Sequence, residues 1–210
     1  MKKAFAKFSL ALFALLAAQF IFVEAAAAQE LKPDELVKKV TDDVLAAVKS
    51  DKQLAAGDKQ KALKLAEEKV LPHIDFQEAT RLAVGKSWNQ ATPEQKKKLV
   101  DEFRRMLVRT YSSAIQAYEG QTMKVQPLRM KPDDTDVTVH NQYIRAGGKP
   151  VQLDYQMRKT PDGWKIYDII VEGVSLVLTY RSEFDAVVKQ QGIDGLIKRL
   201  ADKNTPAKVG

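Results

Sequence analysis

The chain has 210 residues, of which 45% are hydrophobic and 29% charged, with a formal net charge of +7 and no cysteine. That is enough apolar material for one sizeable core. It excludes disulfides, a thiol nucleophile and any cysteine metal site.

The amino terminus places Lys2, Lys3 and Lys7 ahead of an apolar stretch from Leu10 to Val23, and Ala26-Ala27-Ala28 then precede Gln29. This is the pattern of a secretory signal peptide over residues 1–28, removed after export. The apolar run is short for a spanning helix of about 20 residues. Its removal takes away three lysines and Glu24, so the formal charge falls from +7 to +5. The remaining basic charge is scattered, apart from Lys96-Lys97-Lys98. Solvation or attraction to anionic partners explains it better than nucleic acid does. Residues 29–203 read as a single domain and residues 204–210 as a frayed tail.

Helical spacing of Leu36, Val37, Val40, Val44, Leu45 and Val48 predicts a helix over 33–49, opened by Pro33. A second helix follows Asp58 and ends at Pro72. A third begins with the capping pattern Asp75 and Glu78 and stops at Gly85. In the next segment, Thr92 caps, Pro93 takes the first position and Gln95 completes a capping box. A continuous apolar stripe from Leu99 through Phe103, Leu107 and Tyr111 to Tyr118 then ends at Gly120.

Four strands follow. They are "QTMKVQPLRM", an alternation over Val137, Val139, Asn141 and Tyr143, a second over Val151, Leu153, Tyr155 and Met157, and Trp164 to Val171. Short connections at Ala146-Gly147-Gly148 and Thr160-Pro161-Asp162-Gly163 imply an antiparallel meander. Period two puts Trp164, Ile166, Asp168 and Ile170 on one face of the fourth strand, and Tyr167, Ile169 and Val171 on the other. A helix over 174–189, a break at Gly192 and a last short helix complete the chain. The order predicts an α+β fold with helices covering one face of a curved four-stranded antiparallel sheet.

Candidate chemistry is sparse. Two histidines, His73 and His140, stand on different elements, and no G-x-S-x-G is present. That argues against a triad or a metal site. "AVGKSW" contains Gly-Lys-Ser but lacks the upstream glycine of a phosphate loop. Asp168 lies among apolar residues and is a candidate general base. The plainer reading is a structural acid that accepts backbone N–H groups. Glu172 reads likewise, as an acid greeting the next helix, with Gly173 as the bend that starts it. A strand apolar on both faces is either covered twice or lines a cavity.

The segments "PHIDFQEATRLAVGKSWNQATPEQKKKLVDEFRRMLVRTYSSAI", "GWKIYDIIVEGVSLVLTYRSEF" and "QGIDGLIKRL" resemble the MlaC family of periplasmic phospholipid-binding, or toluene-tolerance, proteins. The resemblance runs from about residue 31 to 203. It implies a deep apolar pocket between sheet and helices that holds acyl chains, with the head group near solvent and loosely held. It implies a periplasmic carrier, not an enzyme, that needs no cofactor and carries phospholipid as cargo. Its partners would be an inner-membrane ABC lipid transporter complex and an outer-membrane lipoprotein. Its job would be to maintain outer-membrane lipid asymmetry, and a monomer suits a shuttle.

Projecting the apolar faces onto such a pocket selects Phe103, Leu107, Tyr111, Ile115, Val139, Tyr155, Met157, Ile166, Ile169, Val171, Val174, Val177 and Tyr180. Arg81, Lys86, Arg109, Arg145 and Arg181 are candidates for its rim or for docking, against ordinary solvated charge. Two other readings stay open. One is an enzyme on a cone-like α+β fold with Asp168 as base on an apolar substrate. The other is a ligand-free interaction module.

Overall fold

A computed structural model describes residues 30–111, 122–145 and 147–205. The signal-peptide reading and Ile115 fall outside these residues. The first helix, α1 (Pro33–Ser50), opens on Pro33, whose missing N–H would have had no helical partner. Short α2 (Lys52–Ala55) and α3 (Lys59–Lys69) are capped by Asp51 and Asp58, whose carboxylates accept backbone N–H groups of the first turn. Helix α4 (Phe76–Val84) is capped by Asp75, which accepts the Glu78 N–H at 2.9 Å. The Glu78 carboxylate turns instead to Arg81 and Arg158. Helix α5 (Pro93–Tyr111) has the full reciprocal box. Gln95 N–H donates to Thr92 Oγ1 at 3.2 Å, and Thr92 N–H donates to Gln95 Oε1 at 3.0 Å.

The sheet has five strands, one more than the sequence suggested, in the order β1 (Thr122–Val125), β2 (Asp136–Ile144), β3 (Val151–Thr160), β4 (Gly163–Val171) and β5 (Val174–Ser175). All neighbours are antiparallel and the sheet is not closed.

The fifth strand replaces the start of the helix expected over 174–189. Glu172 and Gly173 both have positive φ, 49° and 81°, between the paired Val171 and Val174. That is a two-residue hairpin turn, so Gly173 reverses the chain and does not start a helix. Glu172 does not greet a helix either. Its Oε1 accepts the Gln152 N–H, and its own N–H donates to Gln152 O at 3.0 Å. The helix begins only at Arg181, after a 3-10 turn Leu178–Tyr180. This α6 (Arg181–Asn204) is broken at Gly192, where φ is 71°.

Strand β4 carries a bulge. Gln156 pairs with Asp168 and Met157 with Ile166, so Tyr167 is an extra residue. Paired residues share a face, and one inserted residue flips the side-chain parity beyond it. Trp164, Ile166, Ile169 and Val171 therefore share one face with Met157, Tyr155 and Leu153. Tyr167, Asp168 and Ile170 lie on the opposite face. Tyr167 donates from its hydroxyl to Asp136 at 2.9 Å there. This corrects the simple alternation, which put Ile166 with Ile170 and separated it from Ile169.

The opposite face is polar. His140 meets Asp154 at 3.1 Å, and Arg158 meets Glu78 of α4 at 2.9 Å. Three apolar clusters occur among the described residues. Leu99, Phe103 and Met106 of α5 pack with Phe184, Leu196 and Leu200 of α6. Val139, Met157 and Trp164 of the sheet pack with Val37 of α1. Val48, Leu54, Ala62 and Leu65 join α1, α2 and α3.

Candidate functional site

The register brings six of the projected residues onto one surface. Val139 pairs with Tyr155 and Met157 with Ile166, while Ile169 pairs with Tyr155 and Val171 with Leu153. Val174 pairs with Val171 and so joins the same face, although it is 56% exposed. No charged side chain stands among these positions. Val139 and Met157 are fully buried, and Tyr155, Ile166, Ile169 and Val171 are half-buried.

The helical candidates form a second group. Phe103 and Phe184 meet edge to face at 5.3 Å, and Tyr180 closes the trio at 5.3 Å from Phe103. Leu107 and Val177 pack into the same cluster. Tyr111 stands at the end of α5, 38% exposed, its hydroxyl 3.4 Å from that of Tyr180. Val139, Tyr155, Met157 and Ile166 of the sheet group thus belong to one cluster, and Phe103, Leu107, Val177 and Tyr180 to another.

Among the described residues, two surface hollows are lined by none of the projected apolar residues, although the second includes the rim candidate Arg109. One of about 220 Å³ lies between α1 and β1, against Thr41 and Met123. The other, about 650 Å³, lies between α3 and α5 and is walled by Lys59, Glu67, Asp101, Arg104 and Arg105.

Three tyrosines, Tyr155, Tyr167 and Tyr180, are held above the ordinary tyrosine range. Burial pushes the Tyr155 hydroxyl up to about 12. Burial, then the hydrogen bond with Tyr111, raises Tyr180. Tyr167 is raised by burial and by its bond to Asp136. Asp168 is 3% exposed and its lone pairs are engaged. Its Oδ1 accepts the N–H groups of Ile169 at 2.8 Å and Val177 at 3.1 Å, and its Oδ2 accepts the Ser175 hydroxyl. Ser175 Oγ in turn accepts the Leu178 N–H at 2.9 Å. This acid folds the turn between β4 and α6.

The basic candidates divide. Arg81 binds Glu78 at 2.8 Å, Arg109 donates to Lys203 O at 3.0 Å, and Arg181 donates to Leu82 O at 2.9 Å. Arg109 and Arg181 tie different elements together, while Arg81 pairs within α4. Lys86 and Arg145 are exposed. Among the described residues no cluster of three or more His, Asp or Glu is placed to hold a metal, and no helix is long and apolar enough to cross a membrane.

One polar residue on the apolar face escaped the sequence reading as a site residue. Asn141 lies between Val139 and Tyr143 on β2 and is wholly buried. The signal was present in the alternation: a single amide in a row of Val, Val and Tyr.

Comparison with known proteins gives a consistent answer. A solved structure from Ralstonia solanacearum, described as a phospholipid-binding protein in complex with a phospholipid, superposes with a TM-score of 0.75 at 40% identity, covering 83% of this chain and 97% of that one. The intermembrane phospholipid transport system binding protein MlaC of Haemophilus influenzae is 23% identical over 181 residues, 85% of each chain. The toluene tolerance protein ttg2D of Pseudomonas putida is 23% identical over 163 residues, 77% of this chain and 75% of its own. The profile of the family described as MlaC protein matches residues 38–202. With most of its length so matched, on a fold that superposes on a phospholipid-binding protein, the chain belongs to the MlaC family.

Proposed function

We propose that this protein is a phospholipid carrier. The acyl chains lie in an apolar pocket between the sheet and the helices, against the face that runs from Val139 and Met157 to Ile169 and Val171. Val174 extends that face at its β5 end, and Phe103, Leu107, Tyr111, Val177 and Tyr180 complete the wall from the helical side. The observation that carries this reading is the bulge at Tyr167, which gathers Ile166, Ile169 and Val171 onto one apolar face. The phospholipid in the Ralstonia relative supports the choice of ligand.

The energetics explain why a carrier is needed. Each buried methylene contributes roughly 0.8 kcal/mol. A lipid with on the order of twenty such groups in contact with water would face a barrier above about 15 kcal/mol. Spontaneous transfer between two membranes is then very slow, and a dry surface that travels with the lipid removes the barrier. No covalent chemistry is required, which fits Asp168 being committed to the backbone. The protein is exported behind a cleaved signal peptide and works in the periplasm as a monomer. It passes lipid between an outer-membrane lipoprotein and an inner-membrane ABC transporter complex, whose ATP hydrolysis supplies direction.

Native mass spectrometry of the purified protein tests this reading. One phospholipid per protein, recovered on extraction or after incubation with liposomes, is the expected result. A bare protein mass before and after liposome exposure would overturn it.

A further inference from the structure

Met123 is a half-buried methionine of β1, and hydroxyls from two other elements aim at its sulfur. Thr41 Oγ1 of α1 donates to Sδ at 3.5 Å, and the Tyr155 hydroxyl of β3 donates to it at 3.9 Å. A helical threonine often bonds back to its own helix, as Thr80 does to Phe76 O at 2.6 Å. Thr41 turns outward to the sulfur instead. A thioether is a weak acceptor, so both hydroxyls are poorly served and the sulfur lone pairs stay available.

The sulfur is also within reach of a small oxidant. Met123 and Thr41 line the hollow of about 220 Å³ between α1 and β1. Hydrogen peroxide is little larger than a water molecule and fits there. The other described methionines are differently placed. Met106 is 6% and Met157 0% exposed, and Met130 packs against the sheet cluster and lines neither hollow.

We propose that Met123 is a peroxide-reactive methionine whose sulfoxide is held by Thr41 and Tyr155, so that oxidation ties α1 and β3 to β1. The proposal is independent of the carrier reading above. A sulfur lone pair attacks one oxygen of the peroxide. The S–O bond forms as the O–O bond breaks, and the second oxygen leaves as water with both peroxide hydrogens. The sulfur gives up two electrons and the peroxide is reduced. The hydrogen bonds lost at sulfur are long and weak. Those gained at the sulfoxide oxygen are stronger, because that oxygen carries negative charge. Among apolar neighbours a sulfoxide is an unpaired polar group that disrupts packing. At Met123 two donors already face it. Methionine sulfoxide reductases reverse the change.

The test exposes the purified protein to millimolar hydrogen peroxide and follows each methionine by peptide mass spectrometry. One added oxygen at Met123 is expected before any at Met106, Met130 or Met157. Thermal melts then compare the reduced and oxidised forms. The oxidised wild type should melt no lower than the reduced one. In T41V and in Y155F the oxidised form should melt about 2–4 °C below its own reduced form, the effect of one lost hydrogen bond. M123Q, whose amide oxygen stands in for the sulfoxide, should melt like the oxidised wild type, and it serves as the test if a hydroxyl variant fails to fold. Oxygen added at Met106, Met130 or Met157 ahead of Met123 would overturn the proposal. So would an oxidised wild type that falls as far as the oxidised variants do, or an M123Q that melts well below the wild type.

Discussion

Asp168 shows how one side chain decides between two functional readings. A buried carboxylate in an apolar strand has the profile of a tuned base. Here it receives three donors, from Ile169, Ser175 and Val177. Those bonds set the path of the chain from β4 through β5 into the 3-10 turn before α6. Removing the acceptor leaves two backbone N–H groups and a hydroxyl short of partners in a site closed to water. D168A should therefore lose about 3 kcal/mol of stability, and S175A, which removes one bond, about 1 kcal/mol. Urea unfolding of both variants provides the measurement. D168N keeps one acceptor oxygen and should still hold lipid once folded. A stable D168A would mean that the turn is held by packing alone. A folded D168N stripped of lipid would reopen a direct role for the acid.

Helix α4 meets the sheet through polar contacts. Arg158 of β3 bridges Glu78 at 2.9 Å and Asp75 at 3.7 Å, and Asp75 N–H donates to Ile166 O at 2.8 Å. The hydrogen bond from Arg81, with Arg158 adding to it, holds the Glu78 carboxyl below its usual range. A depressed acid contributes stability above its unfolded value, and that contribution is lost as pH falls through the folded one. Thermal melts should therefore show the wild type losing its advantage over E78Q below about pH 4. An equal gap between the two at pH 7 and pH 3 would remove Glu78 from the acid limb. The caps of α3, α4 and α5 and the stop of α4 were legible in the sequence because the signals are local: Asp58, Asp75, Thr92 with Gln95, and Gly85. The bulge was not, because nothing in "WKIYDII" marks Tyr167 as unpaired. Only pairing with β3 does so, and that pairing is non-local. The β4–β5 hairpin was missed for a related reason. Glu172 is a poor residue for a positive φ, and the apolar spacing of 174–188 fits a helix equally well.

At the scale of the whole molecule, the projected wall divides between the sheet face and the helical cluster, and the two halves should respond differently to added bulk. Val171 is half-buried at the end of the apolar face, paired with Leu153 and Val174. Val177 is 4% exposed and packs in the cluster that holds Phe103 and Phe184. A tryptophan at 171 has room to lie along the face, so it should displace acyl chain while the protein stays folded. A tryptophan at 177 enters a filled core, where overpacking costs about 1–3 kcal/mol. V171W should therefore carry at most about half the lipid of the wild type, with its Tm shifted by only a few degrees. V177W should melt markedly lower, and whatever lipid it loses should track the loss of fold. Lipid extraction paired with thermal melting of each variant separates the two effects. A folded V171W with a full complement of lipid would place the chains elsewhere on the face, nearer Met157 and Val139. A V177W that melts like the wild type but binds no lipid would mean that the helical cluster opens to admit the chains, and that the two groups form one wall when cargo is bound.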